Sequence, residues 1–278
     1  MINKKRFGLN RIIAPSMGLK EFFEFADSVG VRKVELRNDL DERNAVDDLK
    51  PKDAAAMAKD KGIEIISINA LQKFNLASAR KKAMSELEDL LELSKTIRCK
   101  AVVLCPNNDS GDKRPAKQRA EETVESLKAF GPLFTKAKIL GLVEPLGFEI
   151  SSLASLVLAQ ECIRNSGFKC YKIVHDTFHH HIGPDDRAIF SKAYDVANTG
   201  LMHISGVEDD MPIIDFRDGH RVMVGPKDRM KSKEQILLLD KLGYKGVFSF
   251  EPFSPEIQKL SKQKLADAVK KSIDYILT

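Results

Sequence analysis

Two stretches, Gly141-Leu142-Val143-Glu144-Pro145-Leu146-Gly147-Phe148 and Val247-Phe248-Ser249-Phe250-Glu251-Pro252-Phe253, share one design. Each reads as a short buried strand that delivers a carboxylate at its C-terminal end and is stopped by proline, which has no N–H to continue a ladder. Between them, Tyr171-Lys172-Ile173-Val174-His175-Asp176 and Leu201-Met202-His203-Ile204 are apolar runs that end in ligand-type side chains. Four successive strands therefore offer Glu144, Asp176, His203 and Glu251. If these strands are parallel neighbours in one sheet or barrel, their C-terminal ends share a rim, where four such ligands converge on one divalent cation.

The same alternation extends in both directions. Runs of strand length fall at 7–14, 33–37, 64–71, 101–106, 142–144, 171–176, 201–205 and 246–250, and amphipathic helical patterns fill the gaps at 19–28, 51–61, 76–96, 115–137, 152–165, 184–196, 231–242 and 255–277. Pro51, Pro115, Pro184 and Pro255 stand at or near first helical turns, and Ser152 suits an N-cap. Gly30, Gly62, Gly167, Gly200 and Gly243 fall where a helix gives way to the next strand, as left-handed C-terminal caps would. Strict β-then-α order with short connections predicts parallel strands and right-handed crossovers. Eight repeats favour closure, so the expected fold is a single (β/α)8 barrel over residues 1–278. The pattern is weakest where Gly131-Pro132 interrupts the fourth helix and over residues 206–229, a long acidic segment without a period.

Composition narrows the setting. A chain of 278 residues suits one closed α/β barrel of ~250 residues and buries enough surface to need no disulfide staples. Cys99, Cys105, Cys162 and Cys170 form no CxxC pair, which suits reduced thiols in the cytoplasm. The formal charge of +5 comes from lysines spread among nearly as many acids, a solvated helical surface rather than a nucleic-acid groove. The basic N-terminus leads into no apolar secretory core, and no apolar run approaches the ~20 residues of a membrane span. The partner expected is thus a small molecule, with neither nucleic acid nor membrane.

All six histidines lie between residues 175 and 220. A lone Asp at a strand end is more often a helix cap, and a lone strand His is usually a satisfied core residue. Four at regular strand ends argue otherwise, because a buried carboxylate must be paired or bound to a cation. The bland alternative is a network in which Lys or Arg side chains pair with these acids. Three carboxylates and one imidazole, without thiolate, favour one Mn²⁺, Mg²⁺, Co²⁺ or Zn²⁺ with positions left open for substrate. His179, three residues past Asp176, is placed to bond a substrate hydroxyl, orient Glu144 or shuttle a proton, and His180 or His181 could take its place. Arg221, next to His220, suits a clamp on a substrate oxygen or is a surface arginine. At the earlier strand ends stand Asn10, Glu35 and Arg37, Asn69, and Asn107-Asn108, polar groups that suit a polyhydroxylated ligand or serve as turn residues.

With these residues in place, the chain resembles the sugar isomerase and epimerase superfamily built on xylose isomerase-like TIM barrels. The resemblance rests on Val143-Glu144-Pro145, His175-Asp176-Thr177-Phe178-His179, His203-Ile204-Ser205 and Phe250-Glu251-Pro252. It implies metal ligation by Glu144, Asp176, His203 and Glu251. Glu35-Leu36-Arg37-Asn38-Asp39, Ser67-Ile68-Asn69-Ala70-Leu71 and Asp218-Gly219-His220-Arg221-Val222 look most like the 2-keto-myo-inositol (inosose) isomerases. The resemblance implies enediolate proton transfer on a keto-inositol, with Glu144 and Glu251 as the acid–base pair, His179 orienting, and Arg221, Arg37, Asn69 and His220 binding substrate. It also implies pairing into a homodimer. The alternatives on this scaffold are a ketose epimerase, a hydroxypyruvate-type isomerase or a dehydratase. A metal-dependent apurinic endonuclease fits less well, because the histidines that hold its extra zinc ions are replaced here by Asn69 and Cys105-Pro106-Asn107.

Overall fold

Because every strand-length run is followed by a helix, each strand returns to the same end of the sheet, and the parallel sheet closes on itself. The computed structural model describes residues 2–40 and 43–278. Its strands are β1 (Phe7–Asn10), β2 (Lys33–Arg37), β3 (Glu64–Leu71), β4 (Ala101–Leu104), β5 (Leu140–Val143), β6 (Tyr171–Asp176), β7 (Thr199–Ile204) and β8 (Phe248–Phe250). They form a closed barrel in chain order, with β8 parallel to β1 through Phe7 opposite Phe248. This is the expected (β/α)8 barrel. Around it run α1 (Leu19–Ser28), α2 (Pro51–Asp60), α3 (Arg80–Ile97), α4 (Ala116–Ala137), α5 (Leu156–Ser166), α6 (Thr177–Ile182), α7 (Arg187–Ala193), α8 (Ser232–Lys241), α9 (Pro255–Gln258) and α10 (Lys262–Leu277). No helix among the described residues is long and apolar enough to cross a membrane.

Strand alternation sorts the core into two layers. Outward-facing residues such as Val34, Met202 and Phe250 pack with Phe22, Leu87, Phe130 and Ile236 of the helices. A smaller apolar set, including Val103, Leu142, Val174 and Leu201, fills the barrel. Two residues further on, the same inward direction belongs to Cys105, Glu144, Asp176 and His203. The apolar plug is thus the floor on which the polar mouth stands.

Local expectations fail at five places, the first at Ser152, which caps no helix because Ser155 accepts from the Leu158 N–H and opens α5. Gly131-Pro132 does not interrupt α4. Burial of Leu127, Phe130 and Phe134 along one face offsets the backbone bond lost at proline, and a Cβ on Gly131 would lie 2.4 Å from the Phe168 ring that covers it. Gly200 is no helix cap but lies within β7, where a side chain would meet Lys172 Cβ at 2.6 Å. The expected helix over 255–277 is two, because Ser261 starts α10 afresh by accepting a hydrogen bond from the Lys264 N–H. The helix expected over 184–196 shrinks to α7, and a short helix, α6, forms before it from the histidine run.

Candidate metal centre at the barrel mouth

Pro145 and Pro252 follow their glutamates directly, so Glu144 and Glu251 stand at the ends of β5 and β8 while Asp176 closes β6 and His203 lies within β7. All four side chains are buried, and one ligand atom from each lies within 4.8 Å of the others. His203 Nδ1 faces the carboxylates, 2.7 Å from Glu144 Oε1, 3.1 Å from Glu251 Oε2 and 3.9 Å from Asp176 Oδ2. Asp176 serves two purposes at once. Its Oδ1 caps α6 by accepting from the N–H groups of Phe178 and His179, while Oδ2 turns to the cluster. The cap reading and the ligand reading of this residue each describe one oxygen.

The far side of the His203 ring is also held. Nε2 lies 3.0 Å from Glu35 Oε2, an oxygen that also accepts from Ser67 Oγ at 2.5 Å and Asn69 Nδ2 at 2.9 Å. A proton on Nε2 donated to Glu35 leaves the Nδ1 lone pair free, the arrangement by which a carboxylate orients a metal-ligating histidine. Burial favours a neutral imidazole, yet Glu251, Glu35 and Glu144 outweigh it and raise the His203 pKa well above its ordinary value. Burial likewise pushes the Glu35 carboxyl up, and the adjoining His203 more than reverses this and lowers it.

Arginines enter the same cluster. Arg221 Nη2 donates to Asp176 Oδ2 at 2.6 Å and to Glu251 Oε2 at 2.9 Å, and Arg37 Nη1 donates to Glu251 Oε1 at 2.9 Å. Burial would raise the Glu251 carboxyl, but His203, Arg221 and Arg37 hold it well below the usual carboxylate range. The arginine network weighed as an alternative to ligation therefore coexists with the ligand geometry. Two guanidiniums face the four buried carboxylates of Glu35, Glu144, Asp176 and Glu251, and Arg37 is further paired with Asp39. The remaining negative charge, the oxygen-rich donor set and the fixed imidazole fit a divalent cation.

Above the cluster opens a cavity of about 150 Å³, lined among others by Asn69, Gln72, Asn108, His179, Arg221 and Phe253. Arg37, Asn69, His179 and Arg221 all line this cavity. Among the described residues the buried Nδ1 of His179 has no partner. His220 is not brought there. Its Nδ1 accepts from the Arg217 N–H, and the residue lines a neighbouring groove with Glu208, Val222 and Tyr275. His180 bonds Gln235, and His181 lies over Phe216, so neither stands in for His179. The polar groups of the first strands do more than expected. Glu35 contacts His203 Nε2, Asn10 donates to Glu251 Oε1 at 3.0 Å, and the buried Cys105 Sγ lies 3.5 Å from Glu144 Oε2. No local signal set Glu35 apart, since it alternates with Lys33 and Arg37 on one face of β2.

A model of the xylose isomerase-like TIM barrel family matches residues 23–278. An inosose isomerase from Bacillus velezensis is 24% identical over 274 residues, covering 94% of this chain and 92% of its own. Among solved structures, a xylose isomerase domain containing protein from Salmonella typhimurium superposes with a TM-score of 0.94 at 38% identity, covering 100% of this chain and 99% of its own. The IOLI protein, solved with a binding zinc atom, superposes with a TM-score of 0.88 at 22% identity over 98% of both chains. The chain belongs to the xylose isomerase-like TIM barrel family.

Proposed function

As a member of this family, whose relatives include an inosose isomerase, the chain is one for which we propose a divalent-metal-dependent isomerase activity. It moves a carbonyl between neighbouring carbons of a keto-inositol or small ketose, and 2-keto-myo-inositol is the substrate of choice. The observation that carries this reading is the convergence of Glu144, Asp176, His203 and Glu251 beneath a small polar cavity, with the His203 ring fixed by Glu35.

The chemical problem is a weakly acidic C–H bond next to a carbonyl. A divalent cation held by these four residues supplies Lewis acidity that stabilises the negative charge developing on the substrate oxygens. The protein does the rest. Glu144, which lines the cavity, takes the proton from carbon. Arg221 binds a substrate oxygen, held in place by Phe178 and Phe253, whose rings its guanidinium overlies at 5.1 and 4.7 Å. Asn69, Gln72 and Asn108 offer amides to ring hydroxyls, and Phe148 and Phe253 cover the apolar face of the ring. His179, which lines the cavity, orients the substrate.

The test is NMR in D₂O with 2-keto-myo-inositol and a panel of ketoses, comparing metal-stripped protein with protein reconstituted with Mn²⁺. Metal-dependent appearance of a shifted carbonyl signal is the expected outcome. Loss of water to an unsaturated product would instead assign a dehydratase. Unchanged substrate across the panel with metal bound would overturn the isomerase reading.

A further inference from the structure

Two arginines line the cavity, and each is also bound to a carboxylate outside the candidate metal cluster. Arg37 donates through Nε and Nη2 to the two oxygens of Asp39, both at 2.7 Å, and through Nη1 to Glu251 Oε1 at 2.9 Å and Asn10 Oδ1 at 3.3 Å. Arg221 donates through Nη1 to Asp218 Oδ1 at 3.2 Å and through Nε to Ser205 Oγ at 3.1 Å. Its Nη2 donates to Asp176 Oδ2 at 2.6 Å and Glu251 Oε2 at 2.9 Å. Among the described residues each guanidinium therefore keeps a single N–H uncommitted. The acids are the more exposed members of the two outer pairs. The side chains of Asp218 and Asp39 are 43% and 28% exposed, against 1% and 8% for Arg221 and Arg37. Asp218 itself lines the cavity, and Asp39 Oδ2 accepts from the lining residue Gln72 at 3.4 Å.

A phosphate or carboxylate is recognised by paired N–H groups of a guanidinium fork or by an ammonium. Here Asp39 closes the fork of Arg37, and three acids divide that of Arg221. Among the described residues no lysine lines the cavity. Arg217 belongs to the adjoining groove, where its Nη1 donates to the carbonyls of Ile214 and Phe216. An anion reaching Arg221 has to displace Asp218 and leave two like charges side by side, which costs binding free energy. A hydroxyl or carbonyl oxygen needs only the one N–H that remains. The amides of Asn69, Gln72 and Asn108 suit the same uncharged groups.

Resting on the isomerase reading above, we infer that the mouth selects by charge. The substrate is an uncharged, unphosphorylated ketol, and Asp218 and Asp39 are specificity-determining residues that withhold the two arginines from phosphate and carboxylate groups. This sets aside the hydroxypyruvate-type alternative, whose substrate carries a carboxylate.

The experiment is calorimetric titration of the Mn²⁺-loaded chain with two matched pairs, 1,3-dihydroxyacetone and its phosphate, and myo-inositol and myo-inositol 1-phosphate. Each neutral member should bind more tightly than its phosphate by about tenfold or more. The gap should narrow as salt rises from about 0.05 to about 0.5 M, because screening weakens repulsion at a partly exposed carboxylate. Asp218→Asn removes the charge while leaving an oxygen to accept from Arg221 Nη1, and should close the gap by about tenfold, chiefly by raising the affinity for the phosphates. Asp39→Asn carries the same expectation through Arg37. Phosphates that bind as tightly as their neutral partners, or a gap that neither variant nor salt alters, overturn the charge selection; turnover of 2-keto-myo-inositol by the same preparation would leave the isomerase reading standing. Absence of binding by both neutral ligands, together with no turnover of 2-keto-myo-inositol, takes down both readings.

Discussion

The two halves of the barrel meet at one mouth and bring different groups to it. Strands β5 to β8 supply Glu144, Asp176, His203 and Glu251, the side chains whose atoms cluster within 4.8 Å. Strands β1 to β4 supply Asn10, Glu35, Arg37, Asn69 and Cys105, each of which contacts one of those four or the carboxylate that orients one of them. On the proposed metal reading, one half ligates and the other aims. The difference teaches that ligand identity alone underdescribes such a site, since Glu35 holds the far side of the His203 ring and Asn10 and Arg37 add to the hold on Glu251.

That division predicts a gradient of effects. The largest lies in the ligating half. His203→Ala removes the one nitrogen ligand and leaves the carboxylates of Glu144 and Glu251 facing each other, so bound metal should become undetectable by elemental analysis after dialysis. Retained stoichiometric metal would break the assignment. Glu144→Gln keeps an oxygen ligand but no proton carrier, and kcat should fall by about 10² to 10⁴ while metal content stays near that of the parent protein. The aiming half should give smaller effects. Glu35→Gln weakens the grip on His203 Nε2 and should lower metal affinity by about 10- to 100-fold, read by competition with a chelating dye. An unchanged affinity would mean that the first four strands are scaffold only.

The smallest effect is a slope. The carboxylates around His203 outweigh its burial and raise its pKa, so in the metal-free protein the ring carries a proton that a metal must displace. Below that raised pKa, metal affinity should rise about tenfold per pH unit and flatten once the ring is neutral. Calorimetry in buffers of different ionisation enthalpy should register one proton released at neutral pH. A flat profile from pH 6 to 8 would show that the ring binds metal already neutral.

How much of this was legible in the sequence follows the same division. Glu144 and Glu251 each end an apolar run before a proline, and Asp176 and His203 end runs of the same kind, so near neighbours alone mark all four. Glu35 and Arg37 lie in Lys33-Val34-Glu35-Leu36-Arg37, which reads as the polar face of any amphipathic strand. Their importance appears only when β2 reaches residues 168 and 214 positions away. The histidine run misled for a related reason. Phe178-His179-His180-His181 has no clean period, yet Asp176 caps it into α6, which aims His179 at the cavity and sends His180 and His181 elsewhere.

The order of strands and helices, the inward direction of Glu144, Asp176, His203 and Glu251, and the reduced-thiol chemistry of the cysteines were settled by the chain itself. They depend on periodicity, prolines and composition, which act over a few residues. Tertiary structure alone decided that Arg37 and Arg221 share Glu251, that Glu35 and Glu144 flank the His203 ring, and that His220 turns to another groove. These pairings depend on barrel closure and on the register of strands far apart in sequence, and no local pattern encodes either.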